Sequence, residues 1–512
     1  MFFSFSSPPK EAASSVQDVE VKASKIRLMT RLAVEHGSIN LSQGFPNEPP
    51  PKRGVSAVVC SLLGGTQERS EQLGRTPVTS LLSTTSGEGA SSSSTSCLSG
   101  VVAAVCGGGS GPKEEKSFGD FVGNVMEQLN TTDAFSQYSV PFGRPILRQQ
   151  IEDYYARWYP GPLGSTYTAP DGTVLKNVDA DENVTVTLGA TEALAVTLRA
   201  ICKPGDKICV IEPFHEIYPS QAALFYLRVE VVRLREVNNK WSLDFDEVRK
   251  KIKGCKAFVL CDPHNPTGRV FDVEELQKLC KICLQNNAYL LSDDIYEHMI
   301  YEGAAVQKHL LGGIDTVSVM TLDGGFSDAE IARMRDLFII LNSASKSFSC
   351  TGWRVGWVVC PENLTSRVRA IHDQMALQAP TPMQIGLEHL LESCDETYYE
   401  KLRLKYEERR DYIVKELRDM GFEIAGEKGP EAAYYVFARF RNVGRLRDFK
   451  TPTEACMWLV QAPDGVALVP GDNFYYHGAN NDYVRFCFCR QMDDLREACR
   501  RLRVKLEIDS ST

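Results

Sequence analysis

The sequence lacks any run of about 18 apolar residues, the length that a helix needs to cross a membrane. It also lacks a basic excess, since 57 Lys and Arg are outnumbered by 66 Asp and Glu, which gives a net charge of -9. Proteins that bind nucleic acids generally carry a basic face, so this charge balance argues against that class. The composition favours chemistry on small molecules.

A disulfide framework is also missing, because the 16 cysteines are scattered through ordinary globular sequence. Cys280 and Cys283 have CxxC spacing, but no second such pair accompanies them. We interpret them as core thiols and keep metal or redox use as the less favoured alternative. Cys487 and Cys489 alternate in the strand-like YVRFCFC, so we expect a core pair on one face of a strand.

The first 15 residues, MFFSFSSPPKEAASS, carry neither the apolar stretch of a signal peptide nor an Arg-rich amphipathic pattern. Together with the free thiols, this favours a cytoplasmic protein. An organelle stays open, because short Ser-rich leaders are weakly diagnostic.

The composition changes abruptly to Ser, Gly and Thr between residues 52 and 117, with STTSGEGASSSSTSC as the clearest stretch. Such a segment buries too little apolar surface to offset its ordering entropy. We predict a disordered surface insertion at 52–117 with no catalytic role. It follows an N-terminal arm at 1–51, which we assign in part to a small domain.

Beyond the insertion, polar helical runs alternate with short apolar runs: KICVIEP, AFVLCDP, AYLLSDD, FIILNSASK and RVGWVVC. This alternation predicts an α/β fold, a mostly parallel sheet covered by helices, in a large domain at 118–365. A bridging helix and a smaller α+β domain follow at 366–512, with a long helix at 395–420 and strands at YYVFARF and YVRFCFC. Residues 303–336 fit no pattern, and we expect a long connection there.

Polar residues follow the predicted strands one after another. They are Pro213, Phe214 and His215, then His264, Asn265, Pro266, Thr267 and Gly268, then Asp293 and Tyr296, and finally Ser343, Ser345 and Lys346. Singly, each is explained by a turn, a helix cap or a solvated charge. Ligands of open α/β sheets bind beyond the carboxyl ends of the strands, so their joint position predicts one site.

The segment SASKSFSCTGWRVGW, from Ser343 to Trp357, resembles the signature of the class I/II aminotransferases, which are fold-type I pyridoxal-phosphate enzymes. The resemblance covers about residues 39–51 and 118 to the C-terminus. It implies that Lys346 forms a Schiff base with pyridoxal 5'-phosphate. It also implies that Arg354 and Ser343 bind the phosphate of this cofactor.

The resemblance places the same phosphate at the start of the helix LGATEALAVTL, which Gly189, Ala190 and Thr191 open. The physical chemistry agrees, because a helix N-terminus offers free backbone N–H groups to an anion.

Three further positions match residues that contact the cofactor ring in this family. Asp293, in place of its neighbour Asp294, matches the carboxylate that keeps the pyridine nitrogen protonated. Asn265 and Tyr296 match donors to the phenolic oxygen. His215 departs from the pattern, since the family usually stacks Phe, Tyr or Trp there; a polar histidine away from the ring is the alternative interpretation.

The substrate's carboxylate calls for a planar bidentate donor, and Arg485 matches the family arginine near the C-terminus. An edge-strand arginine is the structural alternative. Gly44 and Asn265 match further substrate-binding positions. Tyr138 matches a tyrosine that reaches the phosphate of the neighbouring subunit, which implies a homodimer with shared active sites.

These matches together imply a transaminase that moves an α-amino group from an amino acid to a 2-oxo acid. The residues around GFPNEPPP resemble the kynurenine and aromatic subgroup, so we expect an aromatic or hydrophobic donor. A pyridoxal-phosphate β-lyase, or an enzyme similar to aminocyclopropane-carboxylate synthase, would use the same residues. A non-enzymatic cofactor-binding regulator is the remote alternative.

Overall fold

The computed structural model describes residues 24–62, 138–158, 166–168, 174–176, 178–301, 326–476 and 482–508. The strands in these ranges are β1 (Ile39–Asn40), β2 (Thr166–Thr168), β3 (Val174–Lys176), β4 (Val184–Thr187), β5 (Lys207–Glu212), β6 (Arg228–Val237), β7 (Lys240–Leu243), β8 (Cys255–Cys261), β9 (Tyr289–Asp293), β10 (Phe338–Ser343), β11 (Gly356–Val359), β12 (Glu423–Ile424), β13 (Tyr435–Arg439), β14 (Val466–Ala467), β15 (Val469–Pro470) and β16 (Tyr483–Cys487).

The α-helices of the same ranges connect and cover these strands. They are α1 (Lys25–Glu35), α2 (Lys52–Leu62), α3 (Pro145–Trp158), α4 (Gly189–Ile201), α5 (Ile217–Leu224), α6 (Phe245–Lys251), α7 (Val273–Asn286), α8 (Asp328–Arg335), α9 (Ala344–Ser347), α10 (Glu362–Met375), α11 (Thr381–Ser393), α12 (Glu396–Asp419), α13 (Pro452–Leu459) and α14 (Met492–Lys505). None of the helices described is long and apolar enough to cross a membrane.

The central sheet has eight strands in the order β4-β11-β10-β9-β8-β5-β6-β7. The five strands from β10 to β6 are parallel, whereas β11 and β7 run against their neighbours. The predicted mostly parallel sheet is therefore confirmed. Its central strands are buried along nearly their whole length, which explains their continuous apolar runs.

A smaller antiparallel sheet, β12-β13-β16-β15, forms the second layer of structure near the C-terminus. The N-terminal segment packs against it: β1 pairs in parallel with β14 in a separate two-stranded sheet, and the Cys487 amide of β16 donates to the Leu41 carbonyl oxygen. Helix α12 packs behind this sheet, and its N-cap is Asp395, whose side chain accepts a hydrogen bond from the Tyr398 amide. The chain termini thus come together, as the predicted fold class required.

Two expectations for the connecting segments were wrong where the structure describes them. Residues 52–62 belong to helix α2, whose Gly54 approaches Leu390 of α11 so closely that a Cβ would lie 2.6 Å from its Cγ. The insertion therefore begins later than residue 52, and residues 63–117 lie outside the described part. Within 303–336, Ser327 and Glu330 form a capping box that starts α8.

Candidate active site

Lys346 lies in the first turn after β10, where the short helix α9 turns its side chain toward the small domain. Its Nζ donates a hydrogen bond of 2.5 Å to the carbonyl oxygen of Gly44, which follows β1. Removal from water lowers the pKa of Lys346 to about 8, and the charges of Arg485 and Arg354 act in the same direction. The amine is therefore partly neutral near physiological pH.

Asp293 ends the neighbouring strand β9, and the parallel register sets it beside Leu341 of β10. Its Oδ2 accepts a hydrogen bond of 2.6 Å from Tyr218 Oη, while its Oδ1 is buried and has no partner among the described residues. Burial raises the pKa of Asp293 to about 6, although hydrogen bonds from Tyr218 and the Ile295 backbone, and then the charge of Lys346, oppose the rise. One carboxylate oxygen is thus held and the other is open to a cationic donor.

The adjacent Asp294 faces a different environment. Its Oδ1 accepts a hydrogen bond of 2.6 Å from Ser292 Oγ. Burial, followed by the charge of Glu297, raises its pKa well above the usual range. The buried environment of Asp294 thus favours its neutral form, and Lys346 acts on the charge of Asp293, not on that of Asp294.

Arg354 lies at the N-terminus of α4. Its Nη2 donates to the Leu188 carbonyl oxygen at 3.1 Å, and its Nη1 donates to the Thr351 carbonyl oxygen at 2.9 Å. A Cβ at Gly189, whose φ is +74°, would lie 2.6 Å from Arg354 Nη2, so only glycine fits there. An arginine thus adjoins the positive end of a helix, which is a site for an anion.

Three more of the predicted phosphate ligands lie around this point. Ala190 and Thr191 belong to the first turn of α4, and its N-cap residue Leu188 provides no side-chain cap. Ser343 is the N-cap of α9, and its Oγ accepts from the Ser345 amide at 3.3 Å. The backbone donors of α4 therefore follow β4, and the hydroxyl that starts α9 ends β10; only β11 separates these two strands in the sheet.

Arg485 comes from β16 and is only 2% exposed. Its Nη1 donates to Asn265 Oδ1 at 3.0 Å and its Nη2 to the Ser42 carbonyl oxygen at 2.9 Å. Its guanidinium packs on the rings of Tyr435 and Phe474, at 4.2 and 5.0 Å from their centroids. Nε has no partner in the described part of the chain, so a buried cation is available for an anionic ligand.

Tyr296, Tyr435 at the start of β13 and the preceding Tyr434 complete the cluster. Tyr296 Oη lies 2.9 Å from Tyr435 Oη, and Tyr434 Oη donates to the Gly44 carbonyl oxygen at 3.1 Å. A Cβ at Gly44 would lie 2.0 Å from Tyr435 Oη, which explains the glycine. We did not predict Tyr218, Tyr434 or Tyr435 as site residues. The sequence signal for Tyr434 and Tyr435 was the YY pair in YYVFARF, which we interpreted as part of a strand.

His215 follows β5 and lies at this cluster. Burial, and then the charges of Arg485 and Lys346, lower its pKa to about 3, so the imidazole is neutral. Its Nδ1 accepts a hydrogen bond of 3.4 Å from the Ile217 amide. His215 therefore lies close enough to both cations for their charges to act on it, and its stacking on the cofactor ring stays a prediction.

Tyr138 differs from the other predicted residues, because its side chain is 77% exposed. The neighbouring Ser139 anchors this segment, since its Oγ donates to Gln378 Oε1 at 2.7 Å. Within one chain, Tyr138 therefore does not join the buried cluster.

Comparisons with known proteins agree with this geometry. The family model described as aminotransferase class I and II matches residues 119–502. A probable N-succinyldiaminopimelate aminotransferase of Mycobacterium tuberculosis is 31% identical over 340 residues, which cover 64% of this chain and 78% of that protein. Kynurenine–oxoglutarate transaminase 1 of Mus musculus is 26% identical over 416 residues, 75% of this chain and 88% of that protein. The solved structure of the Mycobacterium tuberculosis N-succinyldiaminopimelate aminotransferase superposes with a TM-score of 0.69 at 25% identity, covering 95% of this chain and 98% of that one.

Proposed function

The chain belongs to the class I and II aminotransferases, and we propose that it transfers the α-amino group of an aromatic or hydrophobic amino acid to a 2-oxo acid, with Lys346 carrying pyridoxal 5'-phosphate. One observation carries the proposal: a lysine of lowered pKa adjoins a buried aspartate with an open oxygen and a buried arginine that has an unpartnered N–H.

The residues present fit the proposed cofactor. The open Oδ1 of Asp293 is suited to a pyridine N–H, and Arg354 with the start of α4 is suited to a phosphate. When bound, pyridoxal phosphate withdraws electrons from the Cα of the amino acid. The residues that would hold it are Gly189, Ala190, Thr191, His215, Asn265, Asp293, Tyr296, Ser343 and Arg354.

Lys346 is the residue that moves the proton in this proposal. A pKa near 8 leaves enough neutral amine to accept a proton from Cα at neutral pH and to return it nearby. The Gly44 carbonyl oxygen accepts from Nζ and so orients the amine, and Tyr434 donates to the same oxygen.

Arg485 and Gly44 would bind the carboxylate of the substrate. The guanidinium already packs on two rings, and Asn265 and Ser42 accept hydrogen bonds from two of its nitrogens. A preorganised arginine loses little side-chain entropy when a carboxylate binds.

The aromatic donor is inferred from the rings near Lys346 and Arg485, which are those of Tyr434, Tyr435 and Phe474. Rings of this kind favour apolar or aromatic side chains. Relatives named kynurenine–oxoglutarate transaminases support the same class.

A homodimer with shared active sites is the second part of the proposal. Exposed apolar side chains come from two segments that the Ser139–Gln378 hydrogen bond joins. They are Tyr138, Val140, Ile146, Met375 and Leu377. We expect Tyr138 to reach the site of the other subunit. A cytoplasmic location agrees with the described cysteines, all of which are free and buried.

Subunit mixing tests the shared site. Homodimers of Tyr138→Ala and of Lys346→Ala should each be impaired, whereas hybrids contain one site with both native residues. Dissociating and reassociating an equal mixture should therefore raise activity above both parents. No gain in verified hybrids would show that Tyr138 and Lys346 serve the same subunit's site.

A donor-by-acceptor screen with the purified holoenzyme tests the reaction. We expect aromatic amino acids to yield their 2-oxo acids only when an acceptor 2-oxo acid is supplied for multiple turnovers. A β-lyase would instead release pyruvate and ammonia without any acceptor. Preference for small or acidic donors would contradict the aromatic assignment and leave the transamination intact.

A further inference from the structure

Two cysteine side chains are in contact at the end of β16, next to the cluster around Lys346. Cys487 Sγ and Cys489 Sγ are 3.1 Å apart, and both thiols are buried. The charges of both cysteines act to raise the pKa of Lys346, against the larger effect of burial. Lys346 itself is only partly buried, so a small molecule that reaches its amine also comes close to the thiols. The proposed amino transfer uses neither sulfur.

The two thiols differ in their electrostatic environment. Burial raises the pKa of Cys487, but the hydrogen bond from the Cys489 thiol and the charge of Arg485 outweigh it and lower this pKa to about 7. Burial, and then the interaction with Cys487, holds the pKa of Cys489 well above its usual range. Cys487 is therefore the more readily ionised thiol of the pair, and the thiolate is the nucleophilic form.

The pair Cys280 and Cys283 of α7 provides a contrast within the chain. Both thiols are buried, as in the first pair, but burial alone dominates and their pKa values are raised. Among the described cysteines, Cys487 is the one whose pKa is lowered. Reactivity toward oxidants is expected to follow this difference and not burial.

We propose that Cys487 and Cys489 form a site of reversible oxidation by a peroxide, which joins the two sulfurs in a disulfide. The Cys487 sulfur attacks one peroxide oxygen, the O–O bond breaks, and the leaving hydroxide takes the thiol proton as water. The Cys489 sulfur then attacks the Cys487 sulfur, the S–O bond breaks, and a second water leaves with the Cys489 proton. The two thiols lose two electrons, which reduce the peroxide to two waters.

The site is connected to the proposed substrate contacts, and this part of the inference rests on the proposed function. The Cys487 amide donates to the Leu41 carbonyl oxygen at 3.0 Å, and Arg485 donates to the adjacent Ser42. The same segment continues to Gly44, which accepts from Lys346. A change at Cys487 is therefore transmitted to Arg485 and to the segment that closes over the amine.

A peptide measurement tests the oxidation by itself. Trypsin cuts after Arg485 and Arg490, so one peptide, FCFCR, contains both thiols. The folded holoenzyme is treated with hydrogen peroxide, then denatured and alkylated. We expect FCFCR to appear without alkyl groups and two hydrogens lighter, to revert with dithiothreitol, and to oxidise at least about tenfold faster than Cys280 and Cys283.

Two variants separate the steps. Cys489→Ser should stop at the Cys487 sulfenic acid, which dimedone traps, and Cys487→Ser should give neither product. If FCFCR stays fully alkylated, or oxidises no faster than the α7 cysteines, the site does not exist. This result would leave the proposed transamination untouched, because the mass readout does not involve it.

Kinetics test the coupling. Oxidation of the native holoenzyme should raise KM for the amino acid at least about fivefold, and dithiothreitol should restore it. The same peroxide dose should leave KM of the Cys487→Ser variant unchanged. A disulfide that forms without altering KM would overturn the coupling to Arg485.

Discussion

Replacement of Arg485 by lysine should separate carboxylate recognition from the rest of the reaction. The native guanidinium packs on the rings of Tyr435 and Phe474, and within the described part of the chain its Nε is the nitrogen without a partner. A lysine keeps the charge but cannot serve Asn265, Ser42 and a carboxylate in this geometry. The variant should therefore bind the substrate carboxylate poorly.

The size of the effect follows from the hydrogen bonds that are lost. A charge-assisted hydrogen bond contributes about 1.5 to 3 kcal/mol. Loss of one such hydrogen bond between the guanidinium and the carboxylate costs about 2.7 kcal/mol, which lowers kcat/KM about a hundredfold. For primary amines without a carboxylate, kcat/KM should fall much less, because these compounds do not use the bidentate contact with the guanidinium.

The assay compares kcat/KM for an aromatic amino acid and for its decarboxylated amine in the native enzyme and in Arg485→Lys. Arg439→Lys is the control, since Arg439 lies on the adjacent strand, pairs with Tyr483 and Glu236, and should change kcat/KM by less than about twofold. Equal losses for both compounds would mean that Arg485 supports the fold and that the carboxylate binds elsewhere.

Three further outcomes are expected. Tyr218→Phe removes a donor to the Asp293 carboxylate, so the pKa of about 6 should rise and the acid limb of the kcat/KM profile should move to higher pH; an unmoved limb would contradict this. Schiff-base formation between pyridoxal phosphate and the cofactor-free protein should accelerate from pH 7 to 9, because the neutral fraction of the Lys346 amine rises through its pKa of about 8. Stopped-flow absorbance measures this rate, and a rate independent of pH would contradict the lowered pKa. Gly54→Val should lower the free energy of unfolding by about 1 to 3 kcal/mol in denaturant titrations, since the valine side chain would overlap Leu390. An unchanged free energy of unfolding would contradict the packing of α2 on α11.

The central strands could be predicted because their burial on both faces leaves an unmistakable apolar run. β5, β8, β9 and β10 lie where KICVIEP, AFVLCDP, AYLLSDD and FIILNSASK indicated. The polar residues behind these strands converge for the same reason, since parallel strands end on one edge of the sheet. Lys346 and Asp293 are examples.

The helices α2 and α8 escaped prediction for local reasons. The Ser-rich residues that follow α2 dominated the composition around it, and its packing partner Leu390 is more than 300 residues away in the chain. In α8, the Ser327–Glu330 capping box was a usable signal that we did not apply.

The tyrosines of the site could not be assigned from the sequence because their roles depend on contacts between distant segments. Tyr434 and Tyr435 acquire a function only where Gly44 and Tyr296 approach them. Tyr218 likewise has no local motif, and its role follows from the 2.6 Å contact with Asp293.

The most direct test of the central claim is the absorbance of the purified holoenzyme during a half-reaction. Adding an aromatic amino acid without acceptor should convert the cofactor from its aldehyde-derived form to its amine form, with one equivalent of 2-oxo acid released per subunit, and a 2-oxo acid should reverse the change. Lys346→Ala should bind the cofactor and show no such turnover. Catalysis retained by that variant, or pyruvate and ammonia released without any amine form, would contradict an aminotransferase that works through Lys346.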